Sequence, residues 1–143
     1  LEEYKDDRIV DYVGAGTEGI AYELDNGNVL KVTMDPSEYE VAQELKGKPT
    51  RHIVNVYDYA TIQDDFEEVW SIEIEKVAPL SEQELQWFDV ILSDITQGRN
   101  REYESEELQN VGKRGEDYVV LDLGGLNENG DSNLTTNNDW MFN

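Results

Sequence analysis

Between residues 9 and 32 the chain alternates short β-type runs with turn chemistry, and a glycine-rich bend is followed by a lysine one strand later. Ile9, Val10, Tyr12 and Val13 lead into Gly14, Gly16 and Gly19. Ile20, Ala21, Tyr22 and Leu24 continue as a second strand, Asp25-Asn26-Gly27-Asn28 supply hairpin-turn chemistry, and Val29–Val32 form a third strand that carries Lys31. This order excludes two familiar phosphate loops. A dinucleotide-binding loop opens into a helix, and a Walker loop holds its lysine inside the loop. Here the glycines lie between strands, so the chain is committed to an antiparallel sheet from its first turn.

The period then changes. Asp35 is a good helix N-cap, Pro36 suits the first helical position, and Glu38 falls where a capping box places its acid. Val41, Ala42 and Leu45 mark one helical face, and Gly47 supplies a stop. Ile53–Ala60 and Val69–Ile74 read as two further strands around the acidic stretch 63–68. A second helix follows, opened by a Ser81/Glu84 capping box with Leu80 and Leu85 as a hydrophobic staple. Trp87, Phe88, Ile91, Leu92 and Ile95 give it a broad apolar stripe. Residues 97–109 are polar and carry no clear pattern. Asn110-Val111-Gly112 and Tyr118–Leu121 read as a small hairpin around residues 113–117. From Gly124 onward Asn, Gly and Ser dominate, so a loosely ordered tail is expected, anchored by Trp140, Met141 and Phe142.

Composition removes several classes of function. The 143 residues contain no cysteine and one histidine, His52, which excludes disulfides and thiolate chemistry and argues against a zinc site. No signal peptide and no apolar run near membrane-spanning length is present, so a cytoplasmic protein with no membrane partner is expected. Leu1 in place of an initiating Met is the start expected of a processed or shortened chain. The net charge is −22, and acids outnumber bases in both halves: 19 to 7 in residues 1–80 and 14 to 4 in residues 81–143. Such a field repels nucleic acid and favours basic partners. It equally serves solubility alone, and it leaves room for an acidic decoy that mimics nucleic acid.

The order of these features resembles the small lobe of a protein kinase, with the likeness running through residues 8–95 and again through 110–124. Gly14, Gly16 and Gly19 resemble the nucleotide flap, and Lys31 the strand lysine. His52–Asp58 looks like the entry into the fourth strand. Ile74-Glu75-Lys76-Val77 resembles a hinge, and Asp122-Leu123-Gly124 is similar to the magnesium-binding Asp-Phe-Gly element. Asn110 precedes Asp122 by close to the family's spacing. The fold implied is α+β: a five-stranded antiparallel small lobe with one inserted helix over residues 1–78, a hinge-following helix and partial large-lobe elements with a metal-binding hairpin over 79–124, and a polar tail over 125–143. The activity implied is transfer of the γ-phosphate of Mg-ATP to a hydroxyl, as in Ser/Thr kinases or a degenerate relative.

The resemblance also implies roles. Gly14, Gly16 and Gly19 would cover the phosphates, and Lys31 would pair with the α/β groups. The backbone of Glu75 and Val77 would take the adenine edge, and Asn110 and Asp122 would hold Mg²⁺. Glu38 is the expected partner of Lys31, because the residues at +3, +4 and +7 from it are apolar, whereas those from Glu40 are polar at +3 and +4. Simpler readings stand beside these. The glycines also suit a tight hairpin, Lys31 could reach solvent along its stem, Glu38 could only cap its helix, and Asn110 and Asp122 could be ordinary turn residues.

One departure bears on chemistry. The family places an aspartate five positions before the magnesium asparagine; that position here is Ser105, with Glu102, Glu104, Glu106 and Glu107 around it. The stretch from Glu75 to Asn110 is also short for the usual large lobe. The expectation is therefore a kinase-type protein first, with a pseudokinase scaffold or an acidic interaction module as the alternatives. An acceptor, if there is one, would be a basic protein. A shortened, cysteine-free kinase would fit a compact genome such as a virus.

Overall fold

The computed structural model describes residues 4–15, 19–63, 68–96, 111–121, 123 and 139–142. The chain is α+β, with a five-stranded antiparallel sheet and a few helices, and it divides into two compact units. The first contains residues 1–48 and 55–76, the second residues 49–54 and 77–143. Asn110, Asp122 and Gly16, three of the expected site residues, lie outside the described residues. So do Gly124 and the polar stretch 97–109.

The first unit is built on β1 (Ile9–Ala15), β2 (Gly19–Leu24), β3 (Val29–Thr33), β4 (Val56–Gln63) and β5 (Glu68–Ile74), with α1 (Pro36–Leu45) between β3 and β4. Its strand order is β1-β2-β3-β5-β4. One face is filled by Ile20, Tyr22, Leu24, Leu30, Val32 and Val69, with Tyr4, Ile9, Met34 and Ile62 packed against them. The other face takes α1 through Val41, Ala42 and Leu45, which are buried as the apolar spacing requires. Tyr39 on α1 stacks on Trp70, with ring centroids 5.3 Å apart, and meets Tyr59 edge to face at 5.5 Å.

With both faces covered, β5 is buried along Val69–Ile74 and must satisfy its polar side chains internally. Glu73 accepts hydrogen bonds from Arg8 Nη1 (2.8 Å), Asn26 Nδ2 (3.1 Å) and Asn28 Nδ2 (2.9 Å). Burial by itself would raise this carboxyl. The donors of Asn28, Asn26 and Arg8 outweigh it and hold the group below its usual range. The residues read as turn formers at 25–28 therefore also anchor the β2–β3 hairpin to the interior of the sheet.

Around α1 and β4 the structure differs from sequence expectation in two ways. Asp35 caps α1 by accepting from Ser37 N, but the Asp35 N–H donates to Thr33 Oγ1 (3.0 Å), where a capping box would direct it to Glu38. The fourth strand starts at Val56 rather than Ile53. Residues 49–54 leave the first unit altogether, because their backbone groups find partners in the second. Gly47 ends α1 as expected, with φ +76°.

The second unit has a three-stranded sheet of β6 (Ala78–Pro79), β7 (Val111–Arg114) and β8 (Asp117–Val120), in that order, with α2 (Glu82–Leu85) and α3 (Phe88–Thr96) between β6 and β7. Ile53 bridges Val120, Val54 N–H donates to Val120 O (3.1 Å), and Val120 N–H donates to His52 O (2.8 Å). The Arg114 guanidinium gathers the carbonyls of Thr50, Arg51 and Ile53 within 2.8–3.1 Å. The Met141 carbonyl accepts from the Arg51 and His52 N–H groups, and its side chain is fully buried, so the expected tail anchor is formed at this residue.

The expected second helix is two. The Ser81/Glu84 capping box is complete, but α2 stops at Leu85, and α3 buries Phe88, Leu92 and Ile95 while Trp87 points outward. Glu84 also accepts from Tyr118 Oη (2.6 Å) and pairs with Lys113 Nζ (3.1 Å). Tyr118 foremost, then the Ser81 backbone and Lys113, pull its carboxyl down to about 2. A depressed carboxyl stabilises the fold fully above its unfolded value and loses that contribution as pH falls through the folded one. The stability difference between wild type and Glu84→Gln, read from urea midpoints, is expected to be constant near neutrality and to vanish between pH 4.5 and pH 2. A difference unchanged at pH 2.5 would show that the network does not hold the ionised form.

Candidate functional site

Lys31 sits in the middle of β3, paired across the ladder with Ala21 on β2 and Ile72 on β5. Strand alternation sends Leu30 and Val32 into the packed face and Lys31 to the face that carries α1. Only Met34 and Asp35 separate β3 from α1, so the first turn of the helix lies directly over this strand. Lys31 Nζ is 2.7 Å from Glu38 Oε1, with side-chain exposures of 27% and 6%. The ammonium is thus held on one side by a buried carboxylate while retaining a path to solvent. Glu38 rather than Glu40 takes this position, and Glu40 is exposed. The inward direction follows from the helix face that Glu38 shares with Val41, Ala42 and Leu45.

Beside Lys31 the same sheet face carries Ala21, Glu23 and Val29, all half-buried, whereas Tyr22, Leu24 and Leu30 on the opposite face are buried. The result is a shallow apolar strip from Val29 and Ala21 toward the lysine. Sequence reading passed over Ala21 and Val29 as site residues, although alternation two positions from Lys31 was enough to place Val29 on its face. At the far end of the strip Glu23 pairs with Lys76 Nζ at 2.6 Å.

The glycines separate into different cases. Gly19 opens β2 opposite Thr33, and a Cβ there would run into the Val32 carbonyl oxygen. Close strand approach by itself therefore requires glycine. Gly14 lies in β1 opposite Ala21, with nothing within 4 Å of a built Cβ and no left-handed backbone. Neither packing nor φ explains it. Gly19→Ala is expected to cost about 1–3 kcal/mol by overpacking, and Gly14→Ala to stay within about 0.5 kcal/mol, both measured by chemical denaturation. A neutral Gly19→Ala would mean that β2 and β3 can separate without loss.

Glu75 closes β5. Its N–H donates to Asn55 O (3.0 Å) and its Oε1 accepts from Asn55 N (2.9 Å), which fixes the last residues of the first unit. Val77 belongs to the second unit. Among the described residues no group of three or more His, Asp or Glu is placed to hold a metal ion, and the expected ligands Asn110 and Asp122 fall outside them. Among the described residues no helix is long and apolar enough to cross a membrane.

No protein-family model matches this chain, and a search of curated proteins returns no match.

Proposed function

We propose that this chain is a kinase-like ATP-binding protein, related to Ser/Thr protein kinases or a degenerate relative of them. The observation that carries the reading is the Lys31–Glu38 pair: a strand cation held by a helix carboxylate next to a half-open apolar strip. Five antiparallel strands with one helix inserted between the third and fourth support it, as does the order of Gly14, Gly16 and Gly19 in the sequence. In this reading Ala21 and Val29 take the flat face of the adenine, and the Glu75 backbone its edge. Lys31 pairs with the α/β-phosphates, its ammonium oriented by Glu38, and Gly14, Gly16 and Gly19 let the bend lie close over the phosphates. Asn110 and Asp122 would hold Mg²⁺, which neutralises phosphate charge when bound.

Ser105 at the position of the substrate-orienting aspartate favours a second reading, a nucleotide-binding scaffold that does not transfer phosphate. Both predict that Mg·ATP raises the melting temperature of wild type and not of Lys31→Met. Incorporation of labelled γ-phosphate into a basic acceptor protein, lost in Lys31→Met, selects the kinase. Binding without incorporation selects the scaffold. No melting shift in either protein would overturn both and turn the acidic surface into the functional part.

A further inference from the structure

We infer that the outer face of α3 is a docking surface for a basic segment of another protein that carries an apolar anchor. Trp87 and Val90 are 59% and 60% exposed, the two most exposed large apolar residues among the described residues of the second unit. Ile91 N–H donates to Trp87 O (2.8 Å), so Trp87 already follows the helical path of α3. Trp87 and Val90 are then neighbours one turn apart, the half-buried Ile91 lies beside them, and Asp94 falls on the same side. The apolar stripe that α3 buries, Phe88, Leu92 and Ile95, is a different face. An isolated exposed Val needs no explanation, but an exposed Trp with apolar neighbours is the residue type that anchors protein interfaces.

Charge selects the occupant. Residues 77–98 contain no Lys or Arg. Glu82, Asp89 and Asp94 are exposed, and none of them forms an ion pair with a described residue. Glu84, by contrast, is neutralised by Lys113. Asp94 thus lies on the side of the apolar pair and Asp89 precedes Val90 in the chain, and among the described residues neither carboxylate has an ion-pair partner. A second copy of this chain would bring another −22 charge to these carboxylates, which disfavours self-association. A basic partner gains from both features at once. This inference does not depend on nucleotide binding.

The test uses three fluorescent peptides of equal length: one of Lys and Arg with Leu at helical spacing, one with each Leu replaced by Ser, and one with each Lys and Arg replaced by Glu. The full chain is expected to bind the first with salt-sensitive affinity and the other two at least about tenfold more weakly. Trp87→Ala should weaken the first peptide by about tenfold or more. Val90→Ser should weaken it less, and both variants should keep the wild-type circular dichroism and melting temperature, because both side chains are exposed. Asp89→Asn/Asp94→Asn should reduce affinity and flatten the salt dependence. Glu44→Gln/Glu68→Gln, an equal charge change elsewhere on the surface, should not. Equal binding of the Leu and Ser peptides, indifference to Trp87→Ala, or equal effects of the two charge pairs would each reduce the attraction to total charge and overturn the site. A dimer in sedimentation velocity that Trp87→Ala dissociates would overturn it in favour of a second copy.

Discussion

Lys31→Met is expected to abolish most of the stabilisation that Mg·ATP gives the wild-type chain. A ligand present at about a hundred times its Kd stabilises a fold by about 2.7 kcal/mol, which in a chain of this size raises Tm by roughly 5–10 °C. The ammonium would contribute a charge-assisted contact of about 1.5–3 kcal/mol, so its removal takes nearly the whole shift. The substitution also acts without ligand. It leaves the buried Glu38 carboxylate without its 2.7 Å cation, at a cost of about 1–3 kcal/mol to the ligand-free protein. The informative quantity is therefore the difference with and without Mg·ATP for each variant, not the melting temperature by itself. Lys31→Met/Glu38→Gln should recover ligand-free stability but not the nucleotide shift. Lys31→Arg should retain part of both. A nucleotide shift that survives in Lys31→Met would place the binding site elsewhere and end the proposal.

Glu73→Ala should be among the most damaging substitutions of a polar residue in the first unit, at about 2–4 kcal/mol by chemical denaturation. Its carboxylate collects Arg8, Asn26 and Asn28, and truncation strands donors from two separate segments beside a strand that is otherwise buried. Arg8 is nearly half exposed and can turn to water, so the larger part of the loss comes from the two asparagines and the vacated volume. Glu73→Gln keeps the shape and should cost about half as much. Because the carboxyl is held below its usual range, its contribution is present at neutral pH and declines as pH falls through the folded-state value. The gap between wild type and Glu73→Gln should therefore narrow in acid. Loss of less than about 0.5 kcal/mol in Glu73→Ala would show that the hairpin is held by β pairing alone.

Glu73 also marks where sequence reading stops. A lone glutamate in an apolar run tells that something must neutralise it, and Arg8 lies 65 positions away. Nothing local names that partner. Glu38 is the opposite case. Its partner lies seven residues upstream across a short link, and helical periodicity alone turns it inward, so the Lys31–Glu38 contact was within reach of pattern reasoning. Trp87 shows the limit of the same reasoning. Counted into one long apolar helix, it looked like core; the break after Leu85 rotates it outward. Helix continuity across a polar Gln86 is a tertiary outcome, because a single turn has little stability of its own and follows whatever its neighbours can bury.

The strand–turn–strand order, the inserted helix with its cap and glycine stop, the two-residue period that turns Lys31 and Leu30 to opposite faces, and the inward aim of Glu38 all follow from local chemistry: φ preferences, capping donors and side-chain periodicity act within a few residues. The exchange of residues 49–54 into the second unit, the burial of β5 on both faces, the enclosure of Glu73 and the exposure of Trp87 do not. Each depends on which distant backbone groups and surfaces compete for the same partners, and that competition is decided only when the whole chain has packed.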